Sequence, residues 1–176
     1  MSGRIDPRLY LVIGPDDCGN NPEDGAGRDP VEIAVAAVAG GVSAVQLRAK
    51  DLSGRVFLQL ALRMKQALAG SGVPLLINDR VDIALAAQVD GVHLGQDDLP
   101  AREARRLLGP EAIIGLTVRS RSEAEQAPLE VLDYLSIGGV FATRSKDNPD
   151  PPIGLAGLTT LATLLRARST LPLCAI

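Results

Sequence analysis

Tryptophan is absent from this chain of 176 residues, and tyrosine and phenylalanine occur only twice each. The interior must therefore be built from Ala, Val, Leu and Ile. Such small branched residues suit the layered interior of a parallel barrel, and other α/β cores too. Cysteine is scarce: Cys18 and Cys174 lie far apart and form no CxxC pair. With a single histidine beside them, a zinc site is not expected. A reduced, cytoplasmic protein is expected, with Cys174 a buried small apolar residue. Basic charge is not in excess either. A net charge of −3 gives no footing for nucleic acid. No apolar run approaches the roughly 20 residues a membrane helix needs. The N-terminal "MSGRIDPRLYLVIG" has neither the long apolar segment nor the small-residue cleavage site of a signal peptide. Neither nucleic acid nor membrane is thus an expected partner. What is present is 46% hydrophobic residues, enough for one soluble domain with a sizeable core.

Short β-type runs alternate with Ala/Leu-rich stretches. The expected strands are "LYLVIG" (9–14), "SAVQLR" (43–48), "PLLIN" (74–78), "GVHLG" (91–95), "IIGLT" (113–117), "YLSIGG" (134–139) and "PLCAI" (172–176). They read as apolar throughout, as strands buried on both faces do. Helices are expected between them. "DPVEIAVAAVAGG" has Asp29 as N-cap, Pro30 at the first helical position and Gly40-Gly41 as its stop. "SGRVFLQLALRMKQALAG" places Val56, Leu60 and Met64 on one stripe. Four more helical stretches follow the later strands. Residues 14–30 are rich in Gly, Asp, Asn and Pro and read as one long β1–α1 loop, a variable surface insertion or a lid.

Strand–helix–strand repetition implies parallel strands joined by right-handed crossovers. The expected fold is α/β, a (βα)8 TIM barrel forming one domain over 1–176, with an open doubly wound sheet as the alternative. Nothing resembles a glycine fingerprint opening the first helix, which favours the barrel. Only seven strands can be found. The eighth strand and the C-terminal helices are missing from these residues, so the chain is expected to be incomplete at its C-terminus.

In either architecture ligands bind at the carboxyl ends of the strands. Strand two delivers Gln46, Arg48 and Lys50 from "QLRAK". Strand three delivers Asn78 and Asp79, strand four Gln96 and Asp98, and strand five Thr117. Strand six runs into "GGVFATRSK" with Thr143, Ser145 and Lys146. Taken singly, each has a plain explanation. The charges of "QLRAK" could be solvated, and "GGVFATRSK" could be a flexible loop. Asp79 and Asp98 could each cap the following helix. His93, inside a strand-like run, reads as structural. Taken together, caps do not explain three cations gathering beside two carboxylates. Paired carboxylates with room for waters suit Mg²⁺ bound to substrate phosphates. Lys and Arg suit the remaining phosphate oxygens, and the hydroxyls and N–H groups of "TRS" a second phosphate. The chemistry suggested is departure of a diphosphate with metal and cation assistance.

"AVQLRAK", "LLINDRVDIALAAQVDGVHLGQDDLP", "IIGLT" and "GGVFATRSK" occur in the order and spacing of the thiamine-phosphate synthase family. The chain resembles that family from about Leu9 to its last residue. The resemblance implies a (βα)8 barrel that couples 4-amino-5-hydroxymethyl-2-methylpyrimidine diphosphate to 4-methyl-5-(2-phosphoethyl)thiazole. The products are thiamine phosphate and diphosphate, and Mg²⁺ is required. It implies a dissociative reaction, in which diphosphate leaves first and the thiazole nitrogen attacks the resulting cation. By position, Asp79 and Asp98 resemble the Mg²⁺ ligands, and Asp97 drops out of the set. Arg48, Lys50 and Lys146 resemble the catalytic cations. With Gln46 and Asn78 they make up the diphosphate clamp; Leu47 and Ala49 lie within the same "QLRAK" motif. Thr117 stands near the pyrimidine, Thr143 and Ser145 match the hydroxyl pair near the thiazole phosphate, and Arg144 lies between them in the same substrate-binding run. The partners implied are these two small-molecule substrates, with a homo-oligomer left open.

Three departures stand out. Thr117 replaces the usual serine, Ser145 stands where threonine is common, and "GGVFAT" lacks the prolines often found there. A polypeptide truly ending at Ile176 would be expected to form an unclosed, poorly stable and inactive barrel. Two rival readings follow: the related thiazole tautomerase, which ionises no diphosphate, and a truncated, non-catalytic binding paralogue.

Overall fold

In the computed structural model, residues 4–19, 27–142 and 151–176 are described. Among them are seven strands: β1 Tyr10–Ile13, β2 Ala44–Leu47, β3 Leu75–Asn78, β4 Gly91–Leu94, β5 Ile113–Val118, β6 Tyr134–Ile137 and β7 Leu173–Ala175. They form one sheet in the order β1-β2-β3-β4-β5-β6-β7, and every pairing is parallel. Six helices connect them: α1 Pro30–Ala39, α2 Gly54–Ala67, α3 Val81–Ala87, α4 Ala101–Leu108, α5 Arg121–Gln126 and α6 Gly154–Arg168.

The sheet curls. The hydroxyls of Tyr10 on β1 and Tyr134 on β6 are 2.7 Å apart. In a flat sheet five strand spacings would separate these strands by about 24 Å. The contact therefore runs across the inside of a curled barrel wall, in which β1 and β7 are not paired among the described residues, and matches the expected barrel of seven strands.

The strands are not apolar throughout, as their sequences suggested; they alternate. Outward residues such as Val45, Leu47, Leu75, Ile77, Val92, Leu94, Ile114, Leu116, Leu135 and Ile137 belong to the main core between strands and helices. Inward residues form two levels. Ile5, Ala44, Leu76, Ile113 and Tyr134, with Tyr10 against them, close the amino end of the barrel. Above them each strand from β2 to β6 sends in one polar side chain: Gln46, Asn78, His93, Thr117 and Ser136. Period-two geometry puts alternate residues on one face. Short strands hide that period because only one or two inward positions per strand are polar.

Local expectations fare variously. Asp29 caps α1 by accepting from Val31 N–H at 3.0 Å, with Pro30 at the first position. In α2 the buried stripe is Phe57, Leu60, Ala61 and Met64, whereas Val56 is 51% exposed. The true stripe follows the i, i+3, i+4, i+7 spacing, which Val56 leaves. The 14–30 segment is not all loop. It opens with a 3-10 turn, Pro15–Cys18, which buries Cys18. Cys174 is only half-buried, contrary to expectation, because among the described residues β7 pairs with β6 alone. Among the described residues no helix is long and apolar enough to cross a membrane.

Candidate active site

The inward polar level opens into a cavity of about 580 Å³ at the carboxyl ends of the strands, within the range for small-molecule sites. Its wall includes Gln46, Arg48, Lys50, Asn78, Asp79, Gln96, Asp98 and Thr117, eight of the residues expected there. Thr143, Arg144, Ser145 and Lys146 lie outside the described residues. Leu47 and Ala49 do not line the cavity. Both side chains are buried in the main core, because alternation along "QLRAK" sends 46, 48 and 50 inward and 47 and 49 outward.

Asp79 is no helix cap. The residue at the N-cap of α3 is Arg80, and Asp79 itself has φ of 62°, the left-handed region that a non-glycine residue adopts at a cost of order 1–2 kcal/mol. That turn points its carboxylate into the cavity, where Oδ2 lies 3.0 Å from Lys50 Nζ. Its backbone is pinned by donation from Asp79 N–H to His93 O at 2.8 Å. Asp98 does not cap α4 either, where Pro100 holds the N-cap position. Its Oδ2 instead accepts from Gly95 N–H at 2.6 Å and closes the turn after β4.

The two carboxylates interact. Burial raises the Asp98 carboxyl above its ordinary value, and neighbouring Asp79 adds to the rise. The Gly95 N–H and Lys50 oppose it. Adjacent carboxylates at a cavity wall, one of them strained by burial, fit a divalent cation shared with waters and phosphate oxygens. Among the described residues no group of three or more His, Cys, Asp or Glu gathers as a metal cage.

Asn78 adds a second signal. Its Nδ2 is buried and has no hydrogen-bond partner among the described residues. An unsatisfied buried donor costs about 1–3 kcal/mol. On a cavity wall beside Arg48 and Lys50, it fits an anionic oxygen arriving with a ligand. Gly14 supports the same region. A Cβ there would meet the Arg48 carbonyl oxygen at 1.7 Å, so only glycine lets the end of β1 pass over the backbone that carries Arg48.

Tyr10, His93, Arg119, Ser136 and Phe141 also line the cavity, beyond the residues expected there. Strand parity was the available signal: Arg119 is two residues beyond Thr117, and Ser136 pairs with Thr117 across β5–β6.

A curled parallel sheet with carboxylates, cations and an orphan donor at its strand carboxyl ends defines a TIM-type α/β barrel protein with its ligand site in the usual place. The model of the thiamine monophosphate synthase family matches residues 9–176. A thiamine-phosphate synthase of Agrobacterium fabrum is 53% identical over 135 residues, covering 77% of this chain and 61% of that protein. One of Moorella thermoacetica is 43% identical over 168 residues, covering 96% and 75%. The solved thiamine phosphate pyrophosphorylase from Pyrococcus furiosus superposes with a TM-score of 0.76 at 32% identity, covering 98% of this chain and 76% of that one. The chain belongs to the thiamine monophosphate synthase family. It spans between about three-fifths and three-quarters of the length of these relatives.

Proposed function

We propose that this barrel carries the site of a thiamine-phosphate synthase, a transferase of thiamine biosynthesis. It would join the aminopyrimidine diphosphate to the thiazole phosphate and release diphosphate. The observation that carries the reading is the meeting of Asp79, Asp98, Lys50 and the orphan Asn78 Nδ2 in one cavity. Each answers one part of a metal-bound diphosphate. Asp79 and Asp98 would hold Mg²⁺, which would supply charge neutralisation for the departing diphosphate. Arg48, Lys50 and Asn78 would bind its remaining oxygens. Lys146, assigned by the family resemblance, would add a third cation. These contacts strengthen as the C–O bond breaks and charge collects on the leaving group, so they favour the transition state over the bound substrate.

Gln46, which the family resemblance puts in the diphosphate clamp, shares the inward polar level with Thr117 below the strand-end cations, and both would orient the pyrimidine ring. No general base is required, since the thiazole nitrogen attacks with its own lone pair. The partners would be these two small molecules, in a cytoplasmic setting. A tautomerase would have no use for this diphosphate-shaped donor set. The test is diphosphate release from the pyrimidine diphosphate by the purified protein with Mg²⁺. Release that depends on added thiazole phosphate supports the synthase. No release from a folded sample rejects it.

A further inference from the structure

Beneath the cavity runs a continuous chain of side-chain hydrogen bonds. Gln46 Nε2 donates to the Tyr10 hydroxyl at 2.8 Å. The Tyr10 and Tyr134 hydroxyls are 2.7 Å apart. The Tyr134 hydroxyl meets His93 Nδ1 at 2.6 Å, and His93 Nε2 meets Thr117 Oγ1 at 2.7 Å. Gln46, Tyr10, His93 and Thr117 face the cavity, while Tyr134 is fully buried behind them and joins the two halves. Space for its ring is built in. A Cβ at Gly115, its pairing partner on β5, would lie 2.1 Å from the ring's Cζ.

Counting protons gives this chain a direction. A phenol has one proton, and a neutral imidazole has one N–H. Gln46 donates to Tyr10, so the Tyr10 proton goes on to Tyr134. The Tyr134 proton goes to His93 Nδ1. The imidazole proton then sits on Nε2 and goes to Thr117 Oγ1. This assignment leaves no buried phenol proton outside the chain. Burial raises both phenols above the ordinary tyrosine range, so each stays a donor. At the two ends, Gln46 Oε1 is left as an acceptor and the Thr117 hydroxyl proton as a donor.

We propose that Tyr134 is a positioning residue that passes hydrogen-bond direction from Gln46 to His93, so that the cavity floor presents an acceptor at Gln46 and a donor at Thr117. The ligand class this fits is a planar heterocycle that donates at one edge and accepts at another. Assigning that heterocycle as an aminopyrimidine rests on the synthase reading.

His93 is the chain's sole histidine, so its tautomer can be read without assignment from long-range ¹H–¹⁵N correlations. The measurement uses the free protein at alkaline pH, without substrate. The wild type should carry the proton on Nε2. Gln46→Glu replaces a donor by a carboxylate that only accepts, which turns the chain around and moves the proton to Nδ1. In Tyr134→Phe the relay is cut, and adding Gln46→Glu should no longer move the proton. Three results would each overturn the proposal: Nδ1–H in the wild type, Nε2–H retained in Gln46→Glu, or the same shift without the Tyr134 hydroxyl. The wild-type reading needs no variant to fold. Because no turnover is measured, a failure of the synthase assignment leaves this test intact, and the reverse holds too.

Discussion

Lys50 Nζ stands 3.0 Å from Asp79 Oδ2, bridging the end of β2 to the turn that follows β3. Lys50 is 55% exposed on its side chain and Asp79 19%, so the pair is worth little to stability. Its meaning is positional. A cation and a carboxylate are held together where a metal-bound diphosphate would need both, and neither is committed to a helix cap.

Asp79→Asn should therefore separate charge from backbone. Asparagine tolerates the left-handed φ of 62° at this position. The variant should melt close to the wild type yet lose about two orders of magnitude or more in turnover. Asp79→Ala should lose the same activity and about 1 kcal/mol of stability in addition. Calorimetric melting beside steady-state kinetics checks both. Wild-type turnover in Asp79→Asn at saturating Mg²⁺ would remove the carboxylate from the mechanism.

Asn78→Leu should trade function for stability. The substitution removes a buried donor that has no partner among the described residues, so denaturant unfolding of the free protein should show unchanged or increased stability. Binding of Mg²⁺-diphosphate should weaken by tenfold or more. A destabilised variant with unaltered diphosphate affinity would mean that the amide serves the fold alone.

The barrel was legible in the sequence, and the site partly so. Asp29, Pro30 and Gly40 announce α1 because capping is local chemistry. Asp79, Asp98, Arg48 and Lys50 were found because charge at strand ends is visible in a linear string. Which side of each strand faces inward was not legible. Strands of three to six residues carry too few alternations to show their period, so Leu47 and Ala49 were grouped with cavity residues and Arg119 and Ser136 were passed over. The hydrogen-bond chain was invisible for another reason. Tyr10 and Tyr134 are 124 residues apart and meet only because the sheet curls.

Tyrosine titration offers a clean check on that curl. Burial raises the hydroxyl pKa of both Tyr10 and Tyr134 above the ordinary value of 10.0. A group that holds its proton more tightly when folded contributes its full share below the unfolded pKa. That share is lost as pH rises toward the folded value. Stability should thus be insensitive to these groups near neutrality and should fall above about pH 10. With two tyrosines and no tryptophan in the chain, phenolate absorbance should stay flat until unfolding. A reversible half-signal near the ordinary tyrosine pKa in folded protein would show one phenol to be open to solvent.

Gly115→Ala should be disruptive out of proportion to one methyl group. The added Cβ would lie 2.1 Å from Cζ and 2.4 Å from the hydroxyl oxygen of Tyr134. Overpacking of this kind costs about 1–3 kcal/mol. Chemical denaturation should show that loss, with a displaced His93 signal in the same variant. A neutral effect would place the Tyr134 ring elsewhere.

The central claim is that the carboxylates, cations and orphan amide of this cavity serve one reaction, and product identity tests it most directly. The purified protein, Mg²⁺, the aminopyrimidine diphosphate and the thiazole phosphate are combined, and the mixture is analysed by mass spectrometry. The account predicts thiamine phosphate and diphosphate in equal amounts, formed only when both substrates are present. A folded protein that leaves both substrates unchanged, or that rearranges the thiazole alone, would contradict it.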